Sequence, residues 1–341
     1  GNPFCYKFVS RAQARNVSLM PFPRQILIAG GAGFIGQNLA RTILIRDSDT
    51  KVTVIDNGVH VTTEHLRSIA SDRLTWYPYD IRRHEAIAPV FKQIPFDAVI
   101  NLAACAGVND SIVNPRANFE ANVIGHFNLL NLARTHGVAH FVLASTGGAI
   151  IGEGQPPLTE DMAPNPLSPY GVSKLVAELY AGIFERCYGL DVCCLRFSNV
   201  YGEYSIHKSN LIPMFIKSAF SGSKAQLFGD GTQERDFIYV ADLVEGICRV
   251  LERKSNGIIQ LATGQRTSAN ELIELIAKIL PDGCPLNFER KAGRIGEVYQ
   301  TWCDNSKSIK MLDNYVNTTL ETGLRRTVDW YGMHYQSGTS A

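Results

Sequence analysis

The sequence Gly30-Gly-Ala-Gly33-Phe-Ile-Gly36 stands directly after the apolar run Gln25-Ile-Leu-Ile-Ala29 and directly before the helical pattern Gln37 to Ile45. Glycines spaced in this way between a strand and a helix leave few folds open. Gly30 permits a tight turn, Gly33 lets the backbone approach a pyrophosphate, and Gly36 lets the helix lie close on the sheet. The helix N-terminus then faces the phosphates. A second apolar run, Lys51 to Ile55, ends in Asp56, 20 positions after the last glycine. A carboxylate there accepts hydrogen bonds from the adenosine ribose and repels a 2′-phosphate. No Arg follows it in Asp56-Asn57-Gly58, so the expected cofactor is NAD rather than NADP.

Further strands are expected at Ala98 to Leu102, Phe141 to Ala144 and Val192 to Phe197, separated by helices near 84–93, 117–136 and 170–188. This alternation predicts an α/β fold, a doubly wound parallel sheet of Rossmann type. Beyond about residue 200, loops rich in Gly, Asn and Pro alternate with helices at 210–221, 240–253 and 268–280, the pattern of a smaller substrate-binding lobe. The expected organisation is a leader or expression remnant over 1–19, an NAD-binding domain over 20–200 with returning segments near 235–262, and a substrate lobe over 201–335. The segment before Met20 lacks the apolar stretch of a secretory signal.

With 341 residues and 45% hydrophobic content the chain can bury a full core. Its 33 Lys plus Arg against 32 Asp plus Glu offer no broad cationic surface for nucleic acid or a membrane. Phosphate recognition must therefore be local. No apolar run approaches the roughly 20 residues of a membrane span. The eight cysteines form no C-x-x-C pair and the histidines show no metal-ligand spacing, so no metal is expected and reduced thiols in a cytoplasmic setting are.

Tyr170-Gly-Val-Ser-Lys174 places a phenol and an ammonium on one helix face. A cation beside a phenol favours the phenolate and lowers its pKa toward neutrality, so that Tyr170 can take a proton from a hydroxyl. Lys174 can also hold the nicotinamide ribose. Asp80-Ile81 is placed either to receive the adenine amino group or as a solvated turn. Cys105 and Asn109 share a loop, where the Cys105 thiol acts as acid or base if its pKa is lowered and is otherwise an inert core cysteine.

Taken in order, these motifs, with Asn101-Leu-Ala-Ala104, Asn122-Val-Ile-Gly125, Arg196-Phe-Ser-Asn-Val-Tyr-Gly202, Gly229-Asp-Gly-Thr-Gln-Glu-Arg-Asp-Phe-Ile-Tyr-Val240 and Arg294-Ile-Gly-Glu297, resemble the extended short-chain dehydrogenases/reductases, in particular the nucleotide-sugar epimerases and dehydratases. The resemblance runs from about Gln25 to Trp330. It implies NAD held by Gly30, Gly33, Phe34, Ile35, Gly36, Asp56, Asn57, Asp80, Ile81, Ala103, Tyr170 and Lys174. It implies a nucleotide-sugar diphosphate, UDP-linked, held by Asn199, Arg235 and Arg294, whose planar guanidinium forks suit paired phosphate oxygens. The alternative for Arg235 is an ion pair with Asp236 or Asp242. Phe228 flanks the base or belongs to the core. The family's homodimer is built from the helices near 117–136 and 170–188.

Two departures from the family pattern matter. The segment after Phe141 reads Ser145-Thr146-Gly147-Gly148-Ala149-Ile150-Ile151-Gly152, so Gly147 stands at the usual catalytic Ser/Thr position and Ile151 at the usual Tyr. The hydroxyl assisting Tyr170 must then come from Thr146, Ser145 or water. Gly147-Gly148 also lacks the Asp-Glu pair of the 4,6-dehydratases, which disfavours that reaction. The resemblance implies oxidation of the sugar at C4, with Tyr170 taking the hydroxyl proton. The first outcome expected is 5,6-dehydration of UDP-N-acetylglucosamine, as in tunicamycin biosynthesis, whose dehydratase the glycine-rich segment and the chain length resemble. Elimination would draw on Cys105, Thr146 or Tyr201 beside Tyr170. The motif set fits a UDP-sugar 4-epimerase equally, and a catalytically silent NAD-binding regulator is the reading from another class.

Overall fold

Seven short runs rich in Val, Ile and Leu form one parallel sheet in the computed structural model, which describes residues 21–59, 72–293 and 298–336. The segment read as a leader lies outside the described residues. The strands are β1 Gln25–Ala29, β2 Lys51–Ile55, β3 Leu74–Tyr77, β4 Ala98–Asn101, β5 His140–Thr146, β6 Val192–Phe197 and β7 Gly257–Leu261. Their order is β7-β6-β5-β4-β1-β2-β3. The order reverses between β1 and β4, which both pair with each other and lead outward in opposite directions. Ligands of doubly wound sheets bind at such a switch point, at the C-terminal ends of the strands.

Both faces of the sheet are covered, which is why its central strands are almost wholly apolar. Ile26 and Ile28 of β1 face one core with helix α1 (Phe34–Arg46), while Leu27 and Ala29 face the other, the alternation that a period of two requires. The second core is closed by α2 (His84–Gln93), α3 (His126–Thr135) and α4 (Pro169–Tyr188). Pro115–Phe119 and Glu120–Gly125, the latter in π geometry, lead directly into α3.

Residues after β6 build smaller sheets beside the switch point. Asn199–Tyr201 pairs with Phe237–Tyr239, Glu234–Arg235 lies between Thr267–Ser268 and Gln300–Thr301, and Ala225–Phe228 pairs with Phe288–Lys291. These pairings bring Asn199, Phe228 and Arg235 toward β5 and α4. The expected helices appear as Leu211–Ser221, Val240–Arg253 and Ala269–Ile279, and the last of these opens on a capping box of Ser268 and Glu271. Among the described residues no helix is long and apolar enough to cross a membrane, and no cluster of His, Cys, Asp and Glu is arranged to hold a metal ion.

Two histidines are buried against the sheet, His126 at the start of α3 and His140 in β5. His126 meets the Asn101 Nδ2 at 3.2 Å and the Ala177 carbonyl at 3.1 Å, and His140 meets the Ser255 carbonyl at 2.9 Å. Burial pushes their imidazoles down to about 3 and about 4. At pH 5 the unfolded chain protonates both and the folded chain neither, so the unfolded state binds more protons. Acidification from pH 7 to pH 5 is therefore expected to cost about 2 kcal/mol of stability per histidine. Urea unfolding at the two pH values measures this; equal stability at both would contradict it.

Candidate active site

The glycine turn is built for close approach. Gly30 has φ +76°, and a Cβ there would lie 2.6 Å from the Ala103 nitrogen; one at Gly36 would lie 2.4 Å from the Gly30 carbonyl oxygen. A Cβ at Gly33 would meet only that carbonyl, at 3.4 Å, so Gly33 is free to face a phosphate. No side chain caps the N-terminus of α1 and its first turn holds no acid, which leaves its N–H groups for an anion. Asp56 accepts from the Ala32 N–H at 3.1 Å and the Gly58 N–H at 2.9 Å, and these bonds tie the end of β2 to the glycine loop. Asn57 accepts from the Val59 N–H, and the Ala103 N–H donates to Asn101 Oδ1. This cradle fits a dinucleotide.

Asp80 belongs to an ion pair rather than to an open turn. The Arg82 guanidinium grips both its carboxylate oxygens at 2.6–3.0 Å and holds its pKa below the usual range. Ile81 is buried, and its side chain fills the space beside Gly125.

A cleft of about 570 Å³ opens beside the turn, lined by Phe34 and Ile35 together with Asn199, Phe228 and Arg235. Tyr170 lines it from the first turn of α4, where Ser168 caps the helix and Pro169 presets the backbone. Lys174 is buried behind the phenol. Its Nζ donates to the Ala144 carbonyl at 2.9 Å and lies 6.0 Å from the centre of the Tyr170 ring. The lowered phenol pKa expected from the sequence is not what this arrangement gives. Burial pushes Tyr170 up to about 12 and Lys174 down to about 8, because both ionised forms lose water.

Of the two candidate hydroxyls, Ser145 is occupied: its Oγ donates to Glu178 Oε1 at 2.6 Å. Thr146 ends β5, accepts from the Ala149 N–H and lines the cleft, as does Asn109. Cys105 does not act as a ready base. Burial and Asp110 raise its thiol pKa, and its backbone is held by Asn118 and Asn122 away from the cleft lining. Tyr201 is likewise corrected: it lies in the core at 1% exposure, its hydroxyl on the Leu320 carbonyl.

Arg235 donates to the carbonyls of Glu234 and Tyr299 at 2.9 and 3.0 Å. The carboxylates weighed as its ion-pair partners are engaged elsewhere, Asp236 with Thr263 and Gly264, Asp242 with Thr318. Arg294 lies outside the described residues. The sequence reading missed Lys208, Asn210, Thr301 and Cys303, which also line the cleft. Lys208 and Asn210 precede a helix start, a signal that gives a loop but no role; Thr301 and Cys303 carry none. NAD is expected to bind more tightly than NADP in direct titration, and Asp56→Ala to narrow that gap; tighter NADP binding by the unaltered protein would contradict the role given to Asp56.

Residues 26–262 match the NAD dependent epimerase/dehydratase family. A putative UDP-glucose 4-epimerase of Methanocaldococcus jannaschii is 35% identical over 309 residues, covering 89% of this chain and 97% of that protein. The UDP-glucose 4-epimerase of Thermotoga maritima, solved with UDP-glucose, superposes with a TM-score of 0.85 at 31% identity, covering 91% of this chain and 99% of the other. DesIV, a dTDP-glucose 4,6-dehydratase of Streptomyces venezuelae solved with NAD bound, gives 0.85 at 30% identity over 92% and 98%. The glycine cradle, the Tyr170-Lys174 helix and these likenesses converge: the chain is an NAD-dependent enzyme of the epimerase/dehydratase family.

Proposed function

We propose that the chain is a UDP-sugar 4-epimerase working through transient oxidation at C4. The observation that carries this reading is one cleft lined by Tyr170, backed by buried Lys174, and by Asn199, Phe228 and Arg235. Asn199 and Arg235 hold the diphosphate and Phe228 flanks the base. Tyr170 takes the C4 hydroxyl proton, Thr146 holds the same oxygen by a hydrogen bond, and Lys174 stabilises the phenolate when its ammonium turns from Ala144 toward the ring. When bound, NAD would supply the oxidant for C4 and, in its oxidised form, a positive charge to the site. With Tyr170 raised to about 12 by burial, these two cations are what make its phenolate accessible near neutrality.

Inversion at C4 needs only this set and room for the keto sugar to turn. Elimination needs in addition a base for C5 and an acid for the C6 oxygen. Cys105 and Tyr201 lie outside the cleft lining, and Gly147-Gly148 offers no carboxylate. One observation favours the second reading, 5,6-dehydration of UDP-N-acetylglucosamine as in tunicamycin biosynthesis. Cys303 lines the cleft with a thiol that burial keeps protonated, and this is the described cleft group that carries a proton near the elimination site the second reading needs. Mass spectrometry of UDP-glucose and UDP-N-acetylglucosamine incubated with enzyme and NAD separates the readings: an isomer of unchanged mass supports the epimerase, loss of one water the dehydratase.

The reading extends to assembly and setting. Phe119, Ile124 and Phe127, with Val172, Leu179 and Ile183 on α4, expose large apolar side chains on adjoining helices, and a second copy of the chain is the proposed cover. The described cysteines are free thiols, in keeping with a reducing cytoplasm. Sedimentation at micromolar concentration is expected to give a dimer that Ile183→Glu dissociates; a monomer of the unaltered chain would overturn this. Tyr170→Phe is expected to lower kcat by about 10²–10⁴-fold with NAD binding retained, and Thr146→Ala to cost less. Near-normal turnover by Tyr170→Phe would assign the proton transfer to another group.

A further inference from the structure

Gln260 of β7 is fully buried, at 0% exposure. Its Nε2 donates to the carbonyls of Leu158 at 2.7 Å and Asp304 at 3.3 Å, and its backbone N–H donates to Glu160 Oε1 at 2.8 Å. Two carbonyl acceptors on one side require the amide NH₂ to face them, which fixes the flip state of the side chain. The carbonyl oxygen Oε1 is therefore turned the other way, buried and without a hydrogen-bond partner. It is aimed at Gly147: a Cβ at that position would lie 2.5 Å from Oε1 and 3.4 Å from the Cys303 sulfur. At Gly148 an added Cβ would lie 3.1 Å from the Cβ of Thr301.

The room that a side chain at position 147 would need is thus already filled by the Gln260 amide of β7. Position 147 is also where the family resemblance places the hydroxyl that assists Tyr170. Leaving a buried amide oxygen unpaired is unfavourable, and here that oxygen stands where a Gly147 side chain would lie. We propose that Gln260 is a positioning residue, which by occupying the side-chain space of Gly147 sets the Thr146–Gly148 turn so that the assisting hydroxyl is that of Thr146. Gly147 and Gln260 are then a coupled pair. Restoring a serine at 147 does not restore a catalytic group; it drives the turn against the amide and moves Thr146. The structural part of this proposal stands on its own contacts, and only its activity readout rests on the UDP-sugar reading.

The test compares Gly147→Ser, Gln260→Ala and the double variant with the unaltered enzyme, by kinetics and by thermal melting with saturating NAD. Gly147→Ser is expected to lose about 10²-fold in kcat, the size of effect that small misplacement of a catalytic group produces, and to melt a few degrees lower. Gln260→Ala is expected to lower kcat with KM for the UDP-sugar unchanged, a split that a merely structural role would not give. The double variant is expected to recover most of the activity and melting temperature lost by Gly147→Ser, because the alanine opens the space the serine needs. Full activity and stability of Gly147→Ser, or a double variant no better than that single one, would overturn the coupling. If the unaltered protein turns over no nucleotide sugar, the functional reading fails separately, and the melting temperatures of the four proteins decide the coupling: non-additive values support it and additive values overturn it.

Discussion

The placement of helix α4, which carries Tyr170 and Lys174, depends on one buried ion pair. Glu178 of α4 meets Arg196 of β6 through two parallel bonds at 3.0 and 2.8 Å, with side-chain exposures of 2% and 3%. Ser145 of β5 adds a third bond to the same carboxylate. Three elements are thereby locked to a single group, and removing one partner of such a pair costs about 3–5 kcal/mol because the other charge is left buried alone. Glu178 follows Lys174 by one helical turn and Tyr170 by two, so the three share one face of α4. Fixing the carboxylate against the sheet therefore fixes the phenol at the cleft. The negative charge of Glu178 also opposes the desolvation that pulls Lys174 down.

Hydrogen bonds carry the same registration from the nucleotide side. Asn101, at the end of β4, holds the Ala103 N–H with its oxygen and meets His126 with its nitrogen, and the other ring nitrogen of His126 meets the Ala177 carbonyl on α4. Asn122 accepts from the Cys105 N–H and donates to Ser173, whose hydroxyl donates to the Tyr170 carbonyl. Asn122 sits in the π-helical stretch Glu120–Gly125, the kind of irregularity often found at functional sites. Because burial keeps His126 neutral, this relay keeps its geometry across the physiological pH range.

The parts of the fold legible in the sequence were those whose local pattern agrees with their tertiary role. β1, β2 and β6 and the helix His84–Gln93 fall on their expected residues. β3 and β7, at the two edges of the sheet, were not expected as strands. The Leu74–Tyr77 residues are mostly half-buried and include a polar threonine, and Gly257 opens β7 at φ +82°, so neither run carries a continuous apolar signature. At the site, the positions of the glycine turn, Asp56, Tyr170 and Lys174 are legible because each stands in a short local pattern of the chain. The direction of the Tyr170 pKa was not legible, since it depends on burial by distant segments. Nor was the reason for Gly147, whose neighbour Gln260 lies far along the chain and is brought to it only by the pairing of β7 beside β6 and β5.

The central claim is that the cleft removes and returns the hydrogen at C4 of the sugar while Tyr170 handles the hydroxyl proton. Turnover of a UDP-sugar carrying deuterium at C4 tests it directly. The account predicts a primary isotope effect on kcat and a product in which the deuterium is retained without exchange into solvent. An isotope effect of unity together with loss of the label to water would contradict it, because the bond to the C4 hydrogen would then break by a route that Tyr170, Lys174 and the nucleotide cradle do not provide.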